Sequence, residues 1–108
     1  MRVTLMSVTE GEDKPLKYPT AFGTAQLVVL TKTDLADAAG FDRAAFTANT
    51  ARVNPGVEIL ETSARTGDGV PALAEKVLAI AAGSAAHRPA MTHRPDQVAA
   101  DDARLTVD

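Results

Sequence analysis

Four consecutive aliphatic residues, Leu27-Val28-Val29-Leu30, constrain the fold of this chain more than any other feature. A strand with one face in water alternates apolar and polar residues. A run with no polar break belongs instead to a strand covered on both faces, as in a parallel sheet packed between helices. Two further β-branched clusters, Val3 to Val8 and Val57 to Leu60, supply neighbours for it. Strand assignments rest on such clusters because alanine, about a fifth of the chain, favours helices and fits either face.

The helical stretches have readable ends. Asp42 is placed to cap a helix over about 43 to 52, which Asn54-Pro55-Gly56 cannot continue. Val70, Leu73, Ala74, Val77, Leu78 and Ala81 recur at helical spacing, so one apolar stripe should lie against the sheet. Pro71 falls in the first turn of that helix, where its missing N–H costs nothing, and Gly83 ends it. The order strand, crossover, strand, helix, strand, helix predicts an α/β fold of about three parallel strands with flanking helices, spanning residues 1–83. Residues 84–108 hold few large apolar side chains and read as a disordered tail. Within it His87-Arg88-Pro89 is echoed by His93-Arg94-Pro95, but no carboxylate or thiol cluster accompanies the two histidines, which disfavours a metal site.

Composition excludes several function classes. With 108 residues, 45% apolar, 23% charged and a net charge of -3, the chain suits one small globular domain. Acidic and basic residues are evenly spread, so no basic face exists for nucleic acid and no polybasic anchor for a membrane. The longest apolar run is far below the roughly eighteen residues of a membrane span. Absence of cysteine removes disulfides, thiolate metal sites and cysteine nucleophiles. Glu10, Glu12 and Asp13 come too early for a signal peptide, and the expectation is a cytoplasmic chain.

Two segments carry candidate chemistry. The second strand runs into Thr31-Lys32-Thr33-Asp34, and the third into Ser63-Ala64-Arg65-Thr66-Gly67-Asp68-Gly69. Both lie where α/β sheets bind ligands, at the carboxyl ends of parallel strands. A carboxylate at Asp34 can accept two parallel hydrogen bonds from the N1–H and N2–H₂ edge of guanine, a donor pair adenine lacks. Lys32 can lay its stem along the base, and the Ala64 N–H can donate to O6. A buried carboxylate facing the wrong base edge would be left unpaired, which is the source of selectivity. Each segment has a plainer alternative: Asp34 as a cap for the next turn, and Ser63 to Gly67 as an ordinary strand-to-helix loop. The two together, each directly after a buried strand, match the arrangement of GTP-binding proteins of the P-loop class.

The segment Ser7-Val8-Thr9-Glu10-Gly11-Glu12-Asp13-Lys14-Pro15-Leu16-Lys17-Tyr18-Pro19 closely resembles one found in the hydrogenase nickel incorporation GTPases (HypB-type), relatives of the urease accessory GTPases. The resemblance continues through Ala25 to Asp34, Phe41-Asp42, Val53-Asn54-Pro55 and Ser63 to Gly69, covering roughly residues 3 to 82. It implies a partial P-loop NTPase fold and a homodimerising GTPase that helps deliver nickel to a nickel-iron hydrogenase during maturation. On the family pattern Lys32 and Asp34 read the base, and Ser63, Ala64 and Arg65 form the second base-contacting loop. Thr31 stands where the family usually has Asn, and Arg65 where it usually has Lys. The first change loosens the tie to the phosphate loop; the second keeps the charge.

No Gly-x-x-x-x-Gly-Lys-Ser/Thr sequence is present to cradle phosphates, and no residue set for Mg²⁺ accompanies it. The family's cysteine and histidine metal ligands also have no counterpart. The resemblance thus implies the C-terminal, guanine-specifying portion of such a GTPase, with weak GTP or GDP binding and no hydrolysis alone. Three expectations follow for its role: a maturation factor working with other hydrogenase maturation proteins, a non-catalytic module pairing with a complementary fragment or full-length homologue, or a decayed remnant. Three strands without further neighbours should leave an unpaired sheet edge and a small core.

Overall fold

The uninterrupted aliphatic run forms strand β2 (Leu27–Thr31), whose first four residues are buried. The computed structural model describes residues 2–83, 87–91 and 105–107. Strand β1 (Val3–Ser7) lies parallel to β2, from Val3 opposite Leu27 to Ser7 opposite Thr31. On the other side β3 (Ile59–Glu61) pairs parallel with β2, from Val28 opposite Ile59 to Leu30 opposite Glu61. The three expected strands are therefore present in one parallel sheet.

Strand β3 starts two residues later than the β-branched cluster predicts. Val57 is drawn into the turn after Pro55-Gly56, its N–H donating to the Asn54 carbonyl, and Glu58 supplies only a carbonyl to Val28 N–H. A fourth strand, β4 (Leu105–Val107), lies parallel to β1, with Val3 opposite Leu105 and Leu5 opposite Val107. The sheet order is β3-β2-β1-β4. Of the two outer edges of the three expected strands, that of β1 is therefore paired over these residues. Sparse apolar content at 84–108 concealed this, because a strand can be held by its backbone ladder rather than by large side chains.

The crossover from β1 to β2 is helical rather than a plain loop. A 3-10 turn at Val8–Glu10 leads into helix α1 (Lys14–Lys17) and helix α2 (Pro19–Gly23), each with proline in its first turn. After β2 come a 3-10 turn at Thr33–Leu35, helix α3 (Ala36–Ala39) and helix α4 (Arg43–Val53). Asp42 caps α4 as its sequence position predicts, accepting from Ala45 N–H at 3.0 Å. Helix α5 (Val70–Ala81) follows β3. None of these helices is long and apolar enough to cross a membrane.

Alternation along the strands divides the core between two faces. Met6, Val28 and Leu30 meet Phe22 of α2, Ala36 of α3 and Phe46 of α4, and the two buried rings pack edge to face with centroids 6.2 Å apart. On the opposite face Val3, Leu27 and Val29 pack with Leu5, Leu60 and Leu73 of α5. The stripe predicted for α5 is only partly used. Leu73, Val77 and Ile80 are half-buried, whereas Val70 is 42% and Leu78 69% exposed. A single helix presents its 73–77–80 line to a narrow sheet, and none of the described residues flanks it to cover the other row.

Residues 87–91, within the expected tail, run against the fold instead. His87 Nε2 lies 2.8 Å from Asn54 Oδ1, and Met91 N–H donates to the Gly23 carbonyl at 2.9 Å. Asn54 is fully buried, and its amide donates to the Phe22 and Ala25 carbonyls at 2.9 and 2.8 Å. A buried amide with one oxygen still to satisfy gives this segment a fixed partner. Apart from this segment and β4, the expected tail, His93 included, lies outside the described residues.

Candidate functional site

The ends of β2 and β3 are stitched together by backbone and hydroxyl groups. Thr62 donates from N–H and Oγ1 to the Leu30 carbonyl, at 2.8 and 3.2 Å. Its own carbonyl accepts from the N–H and Oγ1 of Thr33, both at 3.1 Å. Between these ties Lys32 adopts a left-handed conformation, φ 56°, and among the described residues it is the one non-glycine residue with positive φ. That reversal sends the chain into the 3-10 turn carrying Asp34.

Asp34 then meets the second loop. The buried Ser63 hydroxyl donates to Asp34 Oδ1 at 2.7 Å and also accepts from Thr66 N–H at 3.2 Å. The Ser63 carbonyl accepts from Gly67 N–H at 2.7 Å, and Ser63 N–H donates to the Asp68 carbonyl at 2.9 Å. The loop is therefore a closed turn whose serine aims the carboxylate. The plainer reading of Asp34 as a cap does not hold, because its carboxylate bonds a side chain across 29 residues rather than a local N–H.

Gly69 explains why this turn can sit so close to β3. A Cβ there would lie 1.9 Å from the Glu61 carbonyl oxygen, and its φ is +73°, so only glycine fits without moving the strand end. Sequence inspection missed this requirement. Its signal was the doublet Gly67-Asp68-Gly69 ahead of a helix, which reads as generic turn chemistry until the distance to the carbonyl is known.

The remaining candidates fall around this pair. Ala64 is exposed, and no acceptor among the described residues takes its N–H. Lys32 and Arg65 are also exposed. Thr31 turns the other way and donates from Oγ1 to the Met6 carbonyl at 3.3 Å, tying β2 to β1. Thus Asp34 and Ser63 are in contact, Lys32 and Ala64 border them, Arg65 extends into solvent, and Thr31 braces the strands. Asp34 is itself exposed, unlike the buried carboxylate of the sequence argument. A bound base would have to provide the desolvation that makes a mismatch costly.

A cavity of about 370 Å³ adjoins the site on its β1 side, lined by Ser7, Thr9, Glu10, Thr31 and Lys32 among others. Its wall comes from the 3-10 turn after β1. There Glu10 accepts from Ser7 N–H at 2.9 Å and pairs with Lys14. Glu12 ties the same segment to α4, its carbonyl accepting from Asn49 Nδ2 at 3.0 Å. Among the described residues no three His, Cys, Asp or Glu side chains gather to hold a metal ion.

No family model matches the chain. The hydrogenase maturation factor HypB of Azotobacter vinelandii is 52% identical over 69 residues, which are 64% of this chain and 23% of that protein. The crystal structure of HypB from Archaeoglobus fulgidus superposes with a TM-score of 0.68 at 37% identity, covering 73% of this chain and 39% of that one. HypB from Helicobacter pylori, solved in complex with nickel, superposes with a TM-score of 0.76 at 25% identity, covering 86% and 42%. The chain spans about a quarter of the length of these curated relatives.

Proposed function

We propose, for a chain that these matches make HypB-type in sequence and fold, that the Asp34–Ser63 pair and its surrounding loops hold the guanine base of GTP or GDP. The observation carrying this reading is the 2.7 Å bond from Ser63 Oγ to Asp34 Oδ1. A carboxylate has about four lone-pair sites, so one bond fixes its plane and leaves both oxygens able to accept. Guanine N1–H and N2–H₂ then pair with the carboxylate, the Ala64 N–H donates to O6, and the Lys32 stem covers the base face. Arg65 adds positive charge beside the loop. Adenine would set its N1 lone pair against the carboxylate and leave that group unpaired, a mismatch such sites reject strongly.

Phosphates are another matter. The sequence holds no Gly-x-x-x-x-Gly-Lys-Ser/Thr loop, and hydrolysis is assigned to no residue here. Nickel is the cargo of the proposed role and not a ligand of these residues, since the described side chains offer no ligand set. The base site would serve hydrogenase maturation in the cytoplasm, alongside other maturation proteins. A second reading, a non-catalytic module that pairs with a complementary chain or a full-length homologue, is favoured by the exposure of Val70 and Leu78 on α5.

Titration of the purified chain with guanosine, GDP, GTP and ATP tests the base site. Guanosine and GDP should bind with similar weak affinity because only the base is held, ATP should not bind, and Asp34→Ala should abolish binding. Equal binding of ATP, or no binding of any nucleotide, would overturn the proposal.

A further inference from the structure

Two loops that leave different strands must hold one fixed geometry if a carboxylate on the first and a serine on the second are to act as a pair. Of the side chains at 31–34, Thr31 turns to β1 and Lys32 is exposed, which leaves Thr33 and Asp34 to reach the second loop. Thr33 is half-buried, and its N–H and Oγ1 both donate to the Thr62 carbonyl at 3.1 Å, filling the two lone pairs of that oxygen. The other end of the same peptide group, Ser63 N–H, donates to the Asp68 carbonyl at 2.9 Å. One peptide plane is thus clamped from both sides, and it carries Ser63.

Thr33 directly precedes Asp34 as Thr62 directly precedes Ser63, so the contacts close a ring. Thr33 meets Thr62 through its two donors, and Ser63 meets Asp34 through the 2.7 Å bond. Such a ring sets the angle of the carboxylate as well as its position. Angle matters because a single donor can be met from many orientations, whereas two parallel donors need a carboxylate lying in their plane. The backbone does not supply this order by itself, since Lys32 ahead of the turn holds a left-handed conformation that is strained for any residue with a Cβ. We infer that Thr33 is a positioning residue for guanine selectivity, an inference that rests on the base reading of this site. Its hydroxyl fixes the Thr62–Ser63 peptide and, through Ser63, the plane in which Asp34 presents its oxygens. Without that hydroxyl the Thr62 carbonyl keeps the Thr33 N–H, so no buried acceptor is orphaned and the fold should survive.

Thr33→Val keeps the shape of the side chain and removes the donor, whereas Thr33→Ser keeps the donor. Guanosine and inosine are titrated against the unsubstituted chain and both variants, inosine lacking the 2-amino group that makes the second bond. The unsubstituted chain should prefer guanosine by about tenfold, the worth of one further hydrogen bond to a charged group. Thr33→Val should lose about tenfold in guanosine affinity and little in inosine affinity, bringing the ratio near one, while Thr33→Ser keeps the original ratio. An unchanged ratio in Thr33→Val overturns the inference, as does a ratio near one in the unsubstituted chain. Equal losses in the two variants would assign the effect to the methyl group, and a lowered urea midpoint with equal losses for both nucleosides would make the hydroxyl merely structural; either overturns it. If the unsubstituted chain binds neither nucleoside, the base reading fails, and hydrogen exchange of the free chain decides the role of Thr33. The Thr66 and Gly67 amides, which bond Ser63, should then exchange at least about fivefold faster in Thr33→Val than in the unsubstituted chain or Thr33→Ser. Unchanged exchange at both amides overturns the positioning role.

Discussion

On one face of the sheet α2, α3 and α4 bury Met6, Phe22, Val28, Leu30 and Phe46, while on the other, among the described residues, a single helix packs on Val3, Leu27 and Val29. The candidate site takes half of its parts from each. Leu35 and Ala36, directly after Asp34, pack into the thick face, whereas Ser63 and Gly69 lead into α5 on the thin one. The carboxylate therefore stands on the better-supported side, and the serine that aims it belongs to a loop with less behind it. Damage to the thick face should unfold the whole chain, and damage to the thin face should loosen the Ser63 loop first.

Phe22→Ala should have the largest effect, about 3 to 5 kcal/mol, because a fully buried ring is lost from a packed pair. Leu73→Ala, half-buried on the sheet-facing side of α5, should cost about 1 to 2 kcal/mol. Urea unfolding of both variants gives the ratio, and equal losses would remove the distinction between the faces. Asn54→Ala comes next, at about 2 to 3 kcal/mol, since it takes the side-chain amide donor from the Phe22 and Ala25 carbonyls and leaves Phe22 only weaker backbone donors such as Ala25 N–H at 3.4 Å. Hydrogen exchange should show the Met91 amide losing protection in the same variant.

Gly69→Ala probes the thin side at the site. The added carbon meets the Glu61 carbonyl, so the loop must shift at a cost of about 1 to 3 kcal/mol. Nucleotide binding should fall well before the thermal transition of the remaining core is lost. Smallest of all, Leu78→Gln at an exposed position should change stability by less than about 0.5 kcal/mol in the isolated chain. A larger loss would mean that the outer row of α5 is covered in solution, which concentration-dependent sedimentation would reveal.

The thick face and its strands were legible in the sequence because their signals are local. An unbroken aliphatic run gives β2, and Asp42 three residues ahead of its N–H partner gives the start of α4. The α5 stripe was legible as a helix but not as a burial pattern. Periodicity states which residues share a face, and how much of that face is covered depends on neighbours elsewhere in the chain. Asn54, Gly69, the 87–91 segment and β4 were not legible for a related reason. Their partners lie 29 to 36 residues away for Asn54, and nearly the whole chain away for β4, and no composition or spacing rule encodes such contacts. Of the site, Asp34 and Ser63 come into contact as the loop positions suggested, while Thr31 braces β1 instead and Asp34 proves exposed.

The most direct measurement is amide chemical-shift mapping of the isotopically labelled chain with guanosine, inosine and adenosine. Guanosine should move the amides of Asp34, Ser63 and Ala64 together, inosine should do so less because it lacks the 2-amino donor, and adenosine should leave them unmoved. Shifts that cluster elsewhere, or that adenosine reproduces, would contradict a guanine edge read by the Asp34–Ser63 pair.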